Sequence, residues 1–573
     1  MEKFDLVVVG AGIHGLSLAK TYKNVNPGTS VLILDKGSSI GGVWAQDRLY
    51  PGLKTNNHFG TLEFSDYPMS SHGFGEDDHI PGQHVHNYLY SYAEKFGLLE
   101  HIRLNCNVVT AEEQGKDGWL LTILDGQDPA KPPSTIWASK LVVATGLTSE
   151  PFVPTFKGQD EFDAPIFHSS EFAKQSNGLG PFKKVVVMSG AKFSWDIVSA
   201  YASAGVEVDW VIRASGHGPC WMTPNRLTPL KIIPELLLQT RLITWLSPCI
   251  WGDFDGYGLF RWFFHQTWLG RKIVDGFFFM MEHSILSHHG YDKHPETAKL
   301  KPWDDVFFVG TNRGLLNYDN DIFDLVRNGK IRIHIADIEH LSHRTINLSN
   351  SQTLAADVLI CGTGWKDTPP IKFISNNELG LPGSSSTTTA IHIARADTEI
   401  LSSFPKLALQ PPIRLNPRQT SLSKETITKE PYRLYRFMIP PAFIHHRTLA
   451  FAGAYRSPAT TIIAQTQALW ITAFLGGQIS GVAGSGQQFG DRIMYETVLH
   501  SQFGKWRYSR GFGDRFPELW FDCLPYIDLM LNELGLNRHR KTSWWRECFE
   551  AYSPSDYKGL VEEWVNLQGQ KLH

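Results

Sequence analysis

The sequence predicts an α/β fold. Two strand–turn–helix–strand units share one chain, the second inserted into the first, with an added helical, aromatic-rich segment. Three observations predict it. The chain opens with an unbroken apolar run, Leu6-Val7-Val8-Val9, closed by Gly10 and followed by a helix and a second strand. The same order recurs from Lys184 to Arg213. Two further apolar runs, Leu141 to Ala144 and Val358 to Cys361, each stop at a Thr-Gly pair, Thr145-Gly146 and Thr363-Gly364.

Each element follows from its pattern. Residues 6–9 are apolar without alternation, as in a strand covered on both faces. A helix is expected from Gly15 to Asn24 and a strand from Ser30 to Leu34. Gly, Asn, Ser, Asp and His dominate from Gly37 to Gly82, which reads as loop. A helix is expected from His86 to Phe96, and a hairpin from the segments Arg103–Thr110 and Trp119–Leu124. The second unit has a strand at Val185–Met188, a helix from Ser194 to Ala204 and a strand from Glu207 to Ile212. Residues 226–291 carry Leu236-Leu237-Leu238, Trp245, Trp251, Trp262, Trp268 and Phe277-Phe278-Phe279. They read as extra helices packed on the core, or as a lid or interfacial patch for an oily substrate. Residues 383–389 and 397–431 read as surface insertions. The expected boundaries are 1–180 and 357–484 for the two parts of the first unit, 181–356 for the second, and 485–573 for a helical extension.

Composition excludes several classes. With 573 residues the chain exceeds one core. Lys and Arg number 54 against 57 Asp and Glu, net −3, so no field exists for a nucleic-acid backbone. The six cysteines form no CxxC pair, and the His288-His289 and His445-His446 pairs lack partners at metal spacing; no metal is expected. No Gly-x-Ser-x-Gly elbow is present. The charged start Met1-Glu2-Lys3 runs directly into the first strand, which implies a cytoplasmic protein with, at most, peripheral membrane contact. Ser457 to Gly490 lacks Asp, Glu, Lys and Arg, but its dense apolar part, Ala468–Phe474, is too short to span a bilayer and reads as a buried helix.

The chemistry begins at Gly10-Ala11-Gly12-Ile13-His14-Gly15. Between a buried strand and a helix this is a dinucleotide fingerprint. Gly10 allows the turn, Gly12 admits the diphosphate, and Gly15 lets helix and strand close up. Asp35 ends the second strand, where an acid binds the ribose hydroxyls. The counterpart positions of the second unit are Ser189, Ala191 and Ser194, with Gly190 between the first two. They stay small, so a diphosphate still fits the helix N-terminus. Arg213 at the end of the next strand suits a 2′-phosphate.

After Asp35 the chain reads Lys36, then Gly41-Gly42-x-Trp44. Asp-Lys-x4-Gly-Gly-x-Trp resembles the FAD motif of the flavin-containing monooxygenases and the related Baeyer–Villiger monooxygenases. The resemblance continues through Leu53-Lys54-Thr55-Asn56, Leu62 to Pro68, Ala144-Thr145-Gly146, Phe451-Ala452-Gly453 and Gln465-Thr466-Gln467. It covers roughly residues 4 to 475. It implies FAD in the first unit, held by Gly10, Gly12, Gly15, Asp35, Lys36, Gly41, Gly42, Trp44, Thr145, Gly146, Gly364 and Gln467. It implies NADPH in the second, held by Ser189, Gly190, Ala191, Ser194 and Arg213. It also places Asn56 beside the flavin. An amide there can donate a hydrogen bond, where the Baeyer–Villiger enzymes usually carry Asp; this favours oxygen transfer to N, S or an alkene. The family signature Phe-x-Gly-x3-His is stretched: Phe156-Lys157-Gly158 is present, but the His falls at 168 rather than 162.

The function expected is an FAD-dependent monooxygenase that uses NADPH and O2 on a hydrophobic small molecule, as in a polyketide or terpenoid tailoring step. The alternatives are a Baeyer–Villiger monooxygenase, an FAD-dependent oxidase with an eroded NADPH site, and a non-catalytic flavin-bound or membrane-surface protein.

Overall fold

The structure, a computed structural model of the chain, describes all residues except 72, 129, 176–178, 228–230, 384–388, 413–429 and 572–573. The expected α/β architecture with two parallel-sheet units is present. Among the described residues the first sheet has eight strands. At its centre Glu2–Val9 lies parallel between Val31–Leu34 and Ser134–Val143, with Val9 opposite both Leu34 and Val143. Val7 and Val8 are fully buried, because helices cover the Val8 face and the hairpin Cys106–Glu113 with Trp119–Asp125 covers the Val7 face. The hairpin Cys106–Glu113 with Trp119–Asp125 extends this sheet, and Leu449–Phe451 returns to pair with Ser134–Val143.

The second sheet is parallel throughout, in the order Ile331–Ile335, Glu207–Ile212, Lys184–Met188, Val358–Cys361, Ile166–His168. This corrects both expected boundaries. Val358–Cys361 was assigned to the returning part of the first unit and Ile166–His168 to its opening part. Val185 pairs with Val358, and Cys361 pairs with His168, so both strands belong to the second sheet. A buried apolar run states that a strand is covered, not which neighbour it pairs with. The chain therefore leaves the first sheet after Val143 and rejoins it only at Lys372–Ile374.

Helices Pro234–Leu238, Arg241–Leu246, Gly258–Gln266 and Trp268–His289 build the aromatic segment. Trp245, Trp251 and Phe278 are core residues, whereas Trp262 (60% exposed), Trp268 (70%) and Phe279 (69%) face outward. Arg241, wholly buried, donates to Asp528 (Nη1 to Oδ2, 2.5 Å) and to Glu547 (Nε to Oε1, 2.7 Å). These bonds tie the segment to the C-terminal helices Cys523–Leu534 and Trp544–Phe549. Removing one partner of such a buried pair costs about 3–5 kcal/mol, because the other charge is left unpaired.

The Ser457–Gly490 stretch holds a helix, Thr460–Leu475, buried on nearly every side. Among the described residues no helix is long and apolar enough to cross a membrane. Of the two expected insertions, 384–388 and 413–429 lie outside the described residues. The part at 397–403 is not an insertion: it completes the helix Thr389–Ser403, which buries Ala396 and Ile400 one turn apart.

Candidate dinucleotide sites

The first site forms where the central strand turns into the helix Ile13–Val25. Gly10 has φ +117°, and a Cβ there would lie 2.4 Å from the Ala144 carbonyl oxygen. A Cβ on Gly15 would lie 1.8 Å from the Gly10 oxygen, so only glycine lets helix and strand meet. Gly12 differs, because a Cβ there meets nothing closer than the Gly42 Cα at 3.6 Å. Gly12 and Gly42 thus pack backbone against backbone, since a Cβ on Gly42 would lie only 3.2 Å from the Gly12 Cα, and both line one cavity. Gly12 is also the helix N-cap and provides no side-chain oxygen, so the first-turn amides have no side-chain cap. A glycine-lined cavity beside uncapped helix amides fits the diphosphate of a dinucleotide.

Gly10, Gly12 and Gly42 line a cavity of about 420 Å³, together with Asp35, Lys36, Gly41, Thr145 and Gly146. Asp35 accepts from Ala11 N (2.6 Å) and Gly37 N (2.7 Å), which fixes its carboxylate at the rim. Each oxygen keeps a lone pair for a ribose hydroxyl. Lys36 donates to the Ser149 carbonyl (2.6 Å), and burial lowers its pKa.

Four expected residues lie off the wall: Gly15, which packs against the central strand, Gly364, which lines the second site, and Trp44 and Gln467, whose side chains turn away. The Trp44 side chain packs into the main core, and its carbonyl accepts from His86 Nδ1 (3.0 Å). Its neighbours Val43 and Ala45 line the cavity instead. Gln467 is buried; it accepts from Gly453 N (3.1 Å) and donates to Tyr526 Oη (2.9 Å). It shapes the Gly453 turn, which does line the cavity.

Two lining residues escaped the sequence reading. Arg48 donates to the Thr148 carbonyl (3.2 Å) and brings a cation to the cavity. His14, inside the fingerprint, is hydrogen-bonded to Tyr455 Oη (2.8 Å), and burial pushes its pKa down to about 4. It is therefore neutral at pH 7. The fingerprint's variable positions were the available signal for His14; Arg48 had none.

The second site, a cavity of about 210 Å³, is lined by Ser189, Gly190, Ala191, Arg213 and Gly364. Gly364 was expected in the first site; the strand before it belongs to the second sheet, which carries it here. Ser189 has φ +126°, nearly that of Gly10, and its Oγ accepts from Ala191 N (3.2 Å). A Cβ on Gly190 would lie 2.3 Å from the Gly218 oxygen. Ala191 caps the helix Lys192–Ser203 without a side-chain acceptor, as Gly12 does in the first site. Ser194 is fully buried and packs against Gly362, away from the cavity. Leu147 lines both cavities, so the two sites adjoin.

Asn56 lies exposed on the strand Lys54–His58, and neither it nor Asn57 lines these two cavities. Asn57 is anchored: its Nδ2 donates to Glu235 and to the Pro458 carbonyl (3.0 Å). Glu235, in the aromatic segment, also accepts from His58 N (2.8 Å) and Thr61 Oγ1 (2.6 Å), so that segment fixes the strand carrying Asn56. The signature residue His168 is fully buried at the edge of the second sheet, where Nδ1 accepts from Ser170 N (3.1 Å).

A family model described as FMO-like, flavin-binding monooxygenase-like, matches residues 3–251. The chain is 34% identical to the FAD-dependent monooxygenase resA of Aspergillus sclerotiorum, over 99% of each chain. It is 30% identical to the FAD-dependent monooxygenase DEP4 of Alternaria brassicicola, over 100% of this chain and 96% of that one. Among solved structures, the open crystal structure of cyclohexanone monooxygenase superposes with a TM-score of 0.61 at 14% identity, covering 93% of this chain and 98% of that one. The S-allyl-L-cysteine S-oxygenase of Allium sativum gives 0.51 at 17%, covering 99% and 93%. At such identities these two likenesses are of fold.

Proposed function

The chain belongs to the flavin-binding monooxygenase-like family of FAD-dependent monooxygenases, and from that premise we propose that it uses NADPH and O2 to place one oxygen atom on a hydrophobic small molecule, in a polyketide- or terpenoid-tailoring step. The observation that carries the cofactor reading is the glycine-lined cavity beside the uncapped helix amides. When bound, FAD supplies the chemistry: it accepts the hydride of NADPH and activates O2.

The chain's own residues bind, orient and exclude water. Gly10, Gly12, Gly41 and Gly42 let backbone amides approach the diphosphate, and Arg48 and Lys36 offset its charge. Asp35 accepts from the ribose. His14 is neutral and held by Tyr455, so it adds no charge beside the cofactor. Asn56 is the proposed hydrogen-bond donor near the flavin, on a strand that Glu235 fixes. An amide donates where a carboxylate only accepts, and this favours transfer to a soft nucleophile over ketone insertion. The outward aromatic face of Gly258–Gln266 and Trp268–His289 supports peripheral contact with a membrane, where oily substrates partition.

The test is an absorption spectrum of the purified protein, then NADPH oxidation and O2 uptake with candidate substrates. Asn56→Asp is expected to keep the flavin and its reduction by NADPH while product per NADPH falls about tenfold or more. Unchanged yield in that variant removes Asn56 from the mechanism. A colourless protein that takes up no FAD removes the whole reading.

A further inference from the structure

The second cavity carries more positive charge than its fingerprint suggests. Besides Arg213, its wall includes Arg456, Arg510 and Arg515, the last two from a stretch beyond the family's motifs. Arg510 is engaged elsewhere: Nη2 donates to the Pro411 carbonyl (3.1 Å), and Nε lies 3.2 Å from Asp304. Arg515 lies 3.7 Å from Asp367 and stays 43% exposed. Arg456 makes no ion pair among the described residues. Its guanidinium sits 4.6 Å from the Phe512 ring centroid and 5.2 Å from that of Phe516. Burial lowers its pKa, the nearby Glu518 and Asp367 carboxylates oppose that shift, and Arg515 adds to it. A cation held on aromatic faces beside a second cation, with no carboxylate at ion-pair distance among the described residues, is placed to take a phosphate oxygen.

The eroded fingerprint faces the same cavity. At Ala191 a methyl group stands where the first site has Gly12, so a diphosphate cannot come as close to the backbone. Planar guanidinium groups bind phosphate oxygens two at a time and supply by side chain what the turn no longer supplies by backbone.

We propose that Arg456 and Arg515 bind a phosphate group of the nicotinamide dinucleotide, and that the stretch Arg510–Phe516 is thereby a wall of the second nucleotide site. This rests on the NADPH reading above. Phe512 and Phe516 flank the Arg456 guanidinium, while Arg213 faces the same space from the end of Glu207–Ile212.

The test is calorimetric titration of the FAD-loaded full chain with NADP+, and in parallel with NAD+, using wild type, Arg456→Met and Arg515→Gln. Each substitution is expected to weaken NADP+ about tenfold or more, with flavin content and melting temperature unchanged. Equal loss for both nucleotides assigns the diphosphate; loss for NADP+ alone assigns the 2′-phosphate; either supports the proposal. Should Arg456→Met fail to fold, Arg515→Gln alters an exposed side chain and still decides it. Wild-type affinity in the folded variants overturns the proposal and leaves the NADPH reading intact. Wild type that keeps its flavin yet binds no NADP+ overturns both.

Discussion

The two nucleotide turns of this molecule share one backbone and differ in what holds it. In the first, glycine occupies each position that sterics restrict: Gly10 at φ +117° and Gly15 where a Cβ would reach 1.8 Å from a carbonyl oxygen. In the second, Ser189 adopts φ +126° without being glycine, and Ser194 packs its hydroxyl against Gly362. Asp35 ends the strand beside one turn and Arg213 the strand beside the other. The surrounding sheet and helix therefore dictate the turn. Glycine removes its strain and opens it to a ligand, and where glycine is gone the cost is strain and a narrower approach.

The largest effect expected from this comparison is at Gly15. Gly15→Ala puts a methyl group into the Gly10 carbonyl, and the helix must separate from the central strand. The cost is about 3 kcal/mol or more, read as loss of soluble protein and a fall in melting temperature. The same change at the counterpart, Ser194→Ala, removes only a buried hydroxyl that has no partner among the described residues, and is expected to be near neutral. Equal damage at both positions breaks the comparison. A smaller effect sharpens it. Ser189→Gly relieves a non-glycine residue at positive φ and is expected to raise stability by up to about 1 kcal/mol, with NADP+ binding unchanged or tighter. A clear loss of stability means that the Ser189 hydroxyl bond to Ala191 N outweighs the strain.

The first turn was legible because its information is local. Strand, glycines, helix and acid lie within 35 residues, and the turn role of Gly10 and the packing role of Gly15 each have a counterpart in a backbone contact. Sheet membership was not legible. Val358–Cys361 and Leu141–Val143 look alike in sequence, and only pairing across some 170 residues separates them. Direction was lost as well: Trp44 and Gln467 sit near the first site but turn their side chains into the core. Arg48 and Arg456 left no signal, because an arginine in a loop looks the same whether it meets solvent or a cavity. The aromatic segment supported two readings, and both faces exist, Trp251 and Phe278 inward and Trp262 and Trp268 outward.

The central claim is that the glycine-lined cavity at Gly12 holds the diphosphate of FAD, and Gly12→Val tests it directly. A Cβ at position 12 makes only ordinary contact with Gly42 (Cα at 3.6 Å, N at 3.9 Å), so the variant is expected to fold while its side chain crowds the cavity wall where the phosphates would lie. The measurement is flavin content per folded chain, from the absorption spectrum and mass of the purified variant beside wild type. A folded, colourless protein that FAD does not reconstitute is the predicted result; a folded variant as yellow as wild type contradicts the account.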